Sequence, residues 1–173
     1  DMYYTKAEMK SMIQNYRKLG LDIIPEFDTP AHSLSFTKVR PDLRFGTTGR
    51  QNDHFNLNTK YDESLAFVES IWDEYIKGDD PVFDQDTIVN IGTDEYDGQY
   101  TEQFRKFTDD LLAYIQDNGN TVRLWGSLTA RSGSTSVRSE GVQMNIWNDG
   151  WANPKAMYQQ GYDLIDMNDG SVY

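Results

Sequence analysis

The chain has 173 residues, enough for one sizeable core, and its 28 acidic against 16 basic residues give a formal net charge of -12. A field of that sign repels phosphate backbones and argues against nucleic acid as a partner, although plain solubility accounts for the charge as well. With a mean hydropathy of -0.72 and no apolar run near the roughly 20 residues that cross a bilayer, no membrane-spanning segment is expected. The absence of cysteine removes disulfides, a thiol nucleophile and thiolate metal sites, and the opening DMYYTKAEMK lacks the basic-then-apolar pattern of a signal peptide.

In chain order, Thr5-Lys-Ala-Glu8 has capping-box spacing, and Met9, Met12, Ile13, Tyr16 and Leu19 recur at helical spacing until Gly20. Leu21 to Phe27 follows as a short buried strand. The segment from Ala31 to Lys60 is long, polar and aromatic, with Pro41, Gly46 and Gly49, and such a loop after a strand is a place for function. A helix from about Asp62 to Lys77 places Leu65, Val68, Trp72 and Tyr75 or Ile76 inward, and Gly78 closes it. Thr87 to Gly92 is rich in β-branched residues and reads as a strand. Thr101 to Asp117 is helical through Phe104, Phe107, Leu111, Leu112 and Ile115, ending at Asn118-Gly119. Thr121 to Trp125, Val142 to Trp147 and Asp163 to Asp166 are short buried strands, with a helix from Pro154 to Gln160 between the last two. The stretch SGSTSVRSEG between Trp125 and Val142 has little helical pattern.

Strands alternating with helices imply a parallel sheet, since a parallel crossover needs about a dozen residues. Chemistry-bearing residues fall just past the strands: Asp28 and His32, then Asp94 and Glu95, then Trp125, Trp147 and Asp166. In a parallel barrel such ends converge on one face, which carries the active site. Two adjacent carboxylates at a strand mouth raise one another's pKa, and an acid so tuned can protonate a glycosidic oxygen; a solvated loop dipeptide is the competing reading. His32 either contacts a substrate or is a structural histidine. Trp125, Trp147 and Trp151 either stack on sugar rings or pack in the core, whereas Trp72 sits in a helical pattern and belongs to the core. With two histidines and no HExxH-type spacing, no metal site is expected. No nucleotide-binding glycine loop and no GxSxG elbow is present, and no cofactor is expected.

The segment IIPEFDTPAHS (Ile23 to Ser33) resembles the PEIDxPGH strand and loop of glycoside hydrolase family 20. IVNIGTDEYDG (Ile88 to Gly98) resembles that family's HIGGDE strand, while LWGS, QMNIW and GYDLIDMNDGSVY (Gly161 to Tyr173) follow in the family's order. The resemblance covers nearly the whole chain, and the HSLSFTKVRPDLRF and DHFNLN stretches are similar to bacterial branches that include lacto-N-biosidases and surface hexosaminidases. It implies one α/β domain over residues 1–173, an incomplete (β/α)8 barrel holding approximately strands three to seven of eight. It also implies substrate-assisted retaining hydrolysis of β-linked N-acetylhexosamine (GlcNAc or GalNAc) units in oligosaccharides or glycoconjugates, with an extracellular or cell-surface location in a bacterium. Asp94 would orient the substrate's acetamido group and Glu95 would act as general acid and base. His32, Trp125, Trp147 and Tyr173 would contact substrate, and Asp28 would support them from behind. Ala31 and Thr93 stand where the family has glycine, and both replacements read as tolerable. Five strands alone would leave open edges and are expected to have little or no activity without the rest of a barrel. A carbohydrate-binding domain without turnover and an unrelated barrel glycosidase with two separated carboxylates are the competing functions.

Overall fold

A computed structural model of the chain describes residues 3–168 and Gly170. Helix α1 (Lys6–Arg17) opens as its capping box dictates: the Glu8 backbone N–H donates to Thr5 Oγ1 at 3.2 Å, and the Thr5 N–H donates back to Glu8 Oε2 at 2.8 Å. Strand β1 covers Glu26–Thr29 and so begins later than the Leu21 to Phe27 expected from hydrophobicity. Pro25 brings no N–H to a ladder, and Leu21 is exposed, so apolarity there did not mark pairing. The segment after β1 holds a short helix α2 (Leu34–Val39) and 3-10 turns at Pro41–Leu43 and Gly49–Asp53. Its Phe55 N–H reaches back to the Pro30 carbonyl at 2.8 Å, and the Ser33 N–H to that of Asp53.

Helix α3 (Tyr61–Ile76), strand β2 (Val89–Gly92) and helix α4 (Thr101–Asp117) come next, followed by β3 (Val122–Trp125) and β4 (Val142–Ile146). Helix α5 (Pro154–Gln159) and strand β5 (Asp163–Asp166) complete the order. The five strands form one parallel sheet in sequence order. As the weak pattern between Trp125 and Val142 implied, that crossover carries no helix among the described residues.

Side-chain alternation divides the sheet into two unlike faces. Val89, Ile91, Val122, Leu124, Val142, Met144 and Ile146 are buried with Phe104, Phe107, Leu111, Leu112 and Ile115 of α4. Trp72 of α3 is buried too, its ring centroid 4.6 Å from that of Phe27 on β1, so its assignment to the core holds. The alternate positions carry Glu26, Asp28, Asn90, Arg123, Trp125, Gln143 and Asn145. This polar face has its own cross-strand bonds, with Arg123 donating to Gln143 Oε1 through Nε and Nη2.

The register between β1 and β2 slips. Glu26 stands opposite Asn90 but Thr29 opposite Gly92, so β1 carries one extra residue between the paired positions. The slip presses Asp28 against Gly92, where a Cβ would lie 1.9 Å from Asp28 Oδ1. Gly92 also has φ +73, and Thr93, in place of the family's glycine, adopts φ 67. The structure corrects the sequence expectation here. Ala31 fits, fully buried, but Thr93 is a β-branched residue held in the left-handed region, with its buried Oγ1 lacking a hydrogen-bond partner among the described residues.

Two substitutions at this turn should therefore move stability in opposite directions. Gly92→Ala is expected to cost about 2 kcal/mol or more, because the new Cβ has neither room nor a permitted backbone. Thr93→Gly is expected to gain about 1 kcal/mol by releasing strain. Urea denaturation of both variants checks the signs, and a neutral Gly92→Ala would mean that β1 and β2 approach less closely than described.

Candidate active site

The turn that follows β2 is the centre of the site. Three non-glycine residues among those described have positive φ: His32 at 52, Thr93 at 67 and Glu95 at 49. All three lie just past β1 or β2, and strain of this kind clusters where surrounding structure enforces a functional geometry. The Thr93 N–H donates to the Thr29 carbonyl at 3.0 Å and locks the two strand ends together. Tyr96, fully buried, fixes the far side of the turn. Its hydroxyl donates to the Phe55 carbonyl at 2.7 Å and accepts from the Leu57 N–H, so the long 31–60 segment is fastened to the residue next to Glu95.

The paired carboxylates have different surroundings. The Asp94 side chain is 15% exposed and that of Glu95 is 32% exposed. His32 Nε2 lies 3.2 Å from Glu95 Oε2 and 3.7 Å from Asp94 Oδ1, while its Nδ1 is 3.9 Å from Asp53 Oδ2. Behind Asp94 sits Asp28. Burial, followed by the charge of Asp94, pushes the Asp28 carboxyl up to about 9, so at neutral pH it keeps its proton and donates it to Asp94. Asp94 is also raised, chiefly by burial, with nearby His32 and the hydrogen bond from Asp28 opposing. Asp28 Oδ1 and Asp94 Oδ1 are both buried and have no other hydrogen-bond partner among the described residues.

Asp28, His32 and Asp94 also bring ligand-type atoms within 4.8 Å of one another. The second histidine, His54, is not part of this trio. It is buried, stacked 4.9 Å from Tyr96 and hydrogen bonded through Nδ1 to Asp53, and burial lowers its pKa.

The aromatic residues lie further around the strand ends. Trp125 closes β3, half-buried, with its indole Nε1 donating to Glu26 at 3.0 Å. Trp147, just past β4, donates to the Gly126 carbonyl at 2.9 Å and stacks on Trp151 with centroids 5.6 Å apart. Arg131 covers Trp151 at 4.6 Å and donates to the Tyr96 carbonyl, joining this aromatic wall to the carboxylate turn. Tyr173 lies outside the described residues. Asp166, at the end of β5, is exposed and accepts from the Asn168 N–H.

Sequence reasoning missed Glu26, Asn90 and Asp53. The first two had a signal, since Glu26 precedes Asp28 by one strand period and Asn90 sits one period before Gly92. Asp53 had none, because it reaches His32 only through the fold of the long loop.

A sequence model of the glycosyl hydrolase family 20 catalytic domain matches residues 1–173. The chain belongs to that family. It is similar to the lacto-N-biosidase of Bifidobacterium bifidum, 23% identical over 186 residues that cover 95% of this chain and 16% of that protein. It is also similar to the human β-hexosaminidase subunit β, 31% identical over 113 residues, covering 61% of this chain and 19% of that one. The chain thus spans less than a fifth of these two relatives. Among solved structures, the pneumococcal virulence factor StrH superposes with a TM-score of 0.80 at 18% identity, over 95% of this chain and 44% of that one. The Streptomyces plicatus N-acetyl-β-hexosaminidase gives 0.72 at 20% identity, over 95% and 33%. The parallel sheet with its flanking helices therefore corresponds to part of the (β/α)8 barrel of this family.

The Asp28–Asp94 pair should set a pH dependence of folding. The native pair keeps a proton that the unfolded chain loses in the ordinary carboxylate range near 4, so the folded state binds more protons between about 4 and 9 and stability falls as pH rises through that window. Asp28→Asn, which holds its hydrogen permanently, should flatten this slope. Denaturation midpoints measured from pH 4 to 9 for both proteins check it, and parallel curves would remove Asp28 as the proton holder.

Proposed function

We propose that this chain carries the catalytic centre of an enzyme that releases terminal β-linked N-acetylhexosamine, or a disaccharide containing it, by substrate-assisted retaining hydrolysis. The observation that carries the reading is the unequal pair: a sheltered Asp94 backed by a proton-bearing Asp28, beside an open Glu95 within 3.2 Å of His32. The family supports the reaction class, and the names of the relatives, lacto-N-biosidase and β-hexosaminidase, support the substrate class.

In this mechanism the substrate's acetamido oxygen attacks the anomeric carbon as the glycosidic bond breaks. Glu95 gives its proton to the leaving oxygen, and the acetamido group closes into an oxazolinium ring. Asp94 accepts a hydrogen bond from the acetamido N–H and stabilises the positive charge that grows there. Asp28 keeps the Asp94 carboxylate in a fixed orientation by donating to it. Water then gives a proton to Glu95 and attacks the same carbon, opening the ring with overall retention. No protein nucleophile is required across the sugar, which is compatible with two catalytic carboxylates adjacent in sequence. Trp125 and Trp147 would wall the acetamido methyl and the sugar ring, and Tyr173 would hold the acetamido oxygen.

The five strands are read as strands three to seven of the eight-stranded barrel, in one domain spanning residues 1–173. The partner is an N-acetylhexosamine-bearing oligosaccharide or glycoconjugate, and the location is extracellular or on a bacterial surface, as the resemblance implies. No helix among the described residues is long and apolar enough to cross a membrane.

The test is hydrolysis of p-nitrophenyl N-acetyl-β-glucosaminide by the intact protein beside Glu95→Gln and Asp94→Asn. Each variant is expected to lose about 10²- to 10⁴-fold in kcat, the range for removing a positioned acid-base or charge-stabilising group. A thiazoline mimic of the cyclic intermediate is expected to inhibit. A folded protein that binds N-acetylhexosaminides without turning over this substrate or a lacto-N-bioside would be a binding domain on the same barrel.

A further inference from the structure

On the polar face of the sheet, Glu26 lies one strand period before Asp28 and accepts hydrogen bonds from two other strands. Asn90 Nδ2 on β2 donates to Glu26 Oε2 at 2.6 Å, and Trp125 Nε1 on β3 donates to the same oxygen at 3.0 Å. Asn90 is buried, and its own Oδ1 accepts from the Gly92 N–H at 3.0 Å. A continuous line of polar contacts therefore runs from the indole through Glu26 and Asn90 to the backbone of the turn that carries Asp94 and Glu95.

An indole has a single N–H donor, so fixing that atom selects one of the two broad ring orientations left open by its outer torsion. Loss of hydration raises the Glu26 pKa first of all, with the hydrogen bond from Trp125 opposing and the charge of Asp94 raising it further. A charged acceptor grips the indole more strongly than a neutral one.

We propose that Glu26 is a positioning residue that fixes the ring plane of Trp125 relative to the turn bearing Asp94 and Glu95. Its catalytic consequence rests on the hydrolase reading above: the wall that receives the cyclising acetamido group is held in register with the carboxylate that orients the group. Misplacement of such a wall lowers the rate without touching a reacting atom.

The experiment combines Glu26→Ala, Glu26→Gln and Trp125→Phe, with the Glu26→Ala/Trp125→Phe double variant, in the intact protein. Glu26→Ala is expected to lower kcat/KM on p-nitrophenyl N-acetyl-β-glucosaminide, and to weaken the thiazoline mimic, by about tenfold, the size of one hydrogen bond to a charged group. Glu26→Gln should recover most of this, since its amide oxygen still accepts the indole N–H. In the Trp125→Phe background, Glu26→Ala should add almost nothing. Additive losses, or an unaffected Glu26→Ala, overturn the proposal. A second readout does not need activity: the indole N–H resonance of Trp125, assigned by its loss in Trp125→Phe, should move upfield in Glu26→Ala and stay near its place in Glu26→Gln. If that resonance responds while no form of the protein hydrolyses or binds the probes, the hydrolase reading fails and the positioning contact stands. If it does not move, the positioning proposal fails whatever the activity.

Discussion

The close approach of Asp28 to Gly92 sets the geometry of everything around it. One extra residue in β1 brings the aspartate across the strand gap, and only a glycine leaves space for its carboxyl. The carboxyl then lies in a poorly hydrated pocket against Asp94, where two negative charges cannot both be held. The outcome is a carboxylic acid that donates a hydrogen bond and a partner that accepts it. The backbone after Gly92 continues through left-handed Thr93 to left-handed Glu95, so the second catalytic candidate is displayed by the same turn that makes room for the first pair.

An acidic chain that gathers Glu26 and Asp28 on the polar face of the sheet close to Asp94 and Glu95 must offset their mutual repulsion. Three devices do so here. A proton remains on Asp28; Asn90 and Trp125 donate to Glu26; and His32 stands beside Asp94 and Glu95. Each device also orients a side chain. The electrostatic cost and the positioning of the site are thus consequences of the same contacts, a coupling expected where function and local stability compete.

The long segment between α2 and α3 is fastened to the strand ends. Its backbone bonds to Pro30, and its Phe55 and Leu57 grip the Tyr96 hydroxyl. Its Asp53 faces His32 and His54. The aromatic wall of Trp147 and Trp151 joins from β4 through Arg131. Loops fastened this way to a parallel sheet hold their side chains in fixed positions past the strand ends.

Helix α1, helices α3 and α4, and strands β2 to β5 were legible to within two residues or so, because their capping, periodicity and β-branched runs are local properties. The start of β1 was not, since Leu21 to Ile24 are as apolar as a strand without pairing as one. The candidate residues Asp28, His32, Asp94 and Glu95 were legible as motif members at strand ends, and Trp72 as core by its place in a helical pattern. The sequence by itself determined the alternation that makes a parallel sheet, the family, and which residue types stand at its strand ends. The tertiary structure decided which of these groups touch. The proton shared by Asp28 and Asp94, the strained Thr93, the two donors on Glu26 and the reach of Asp53 to His32 depend on a register slip and on loop closure. Both bring together residues from separate segments, and no pattern within one segment encodes their distance.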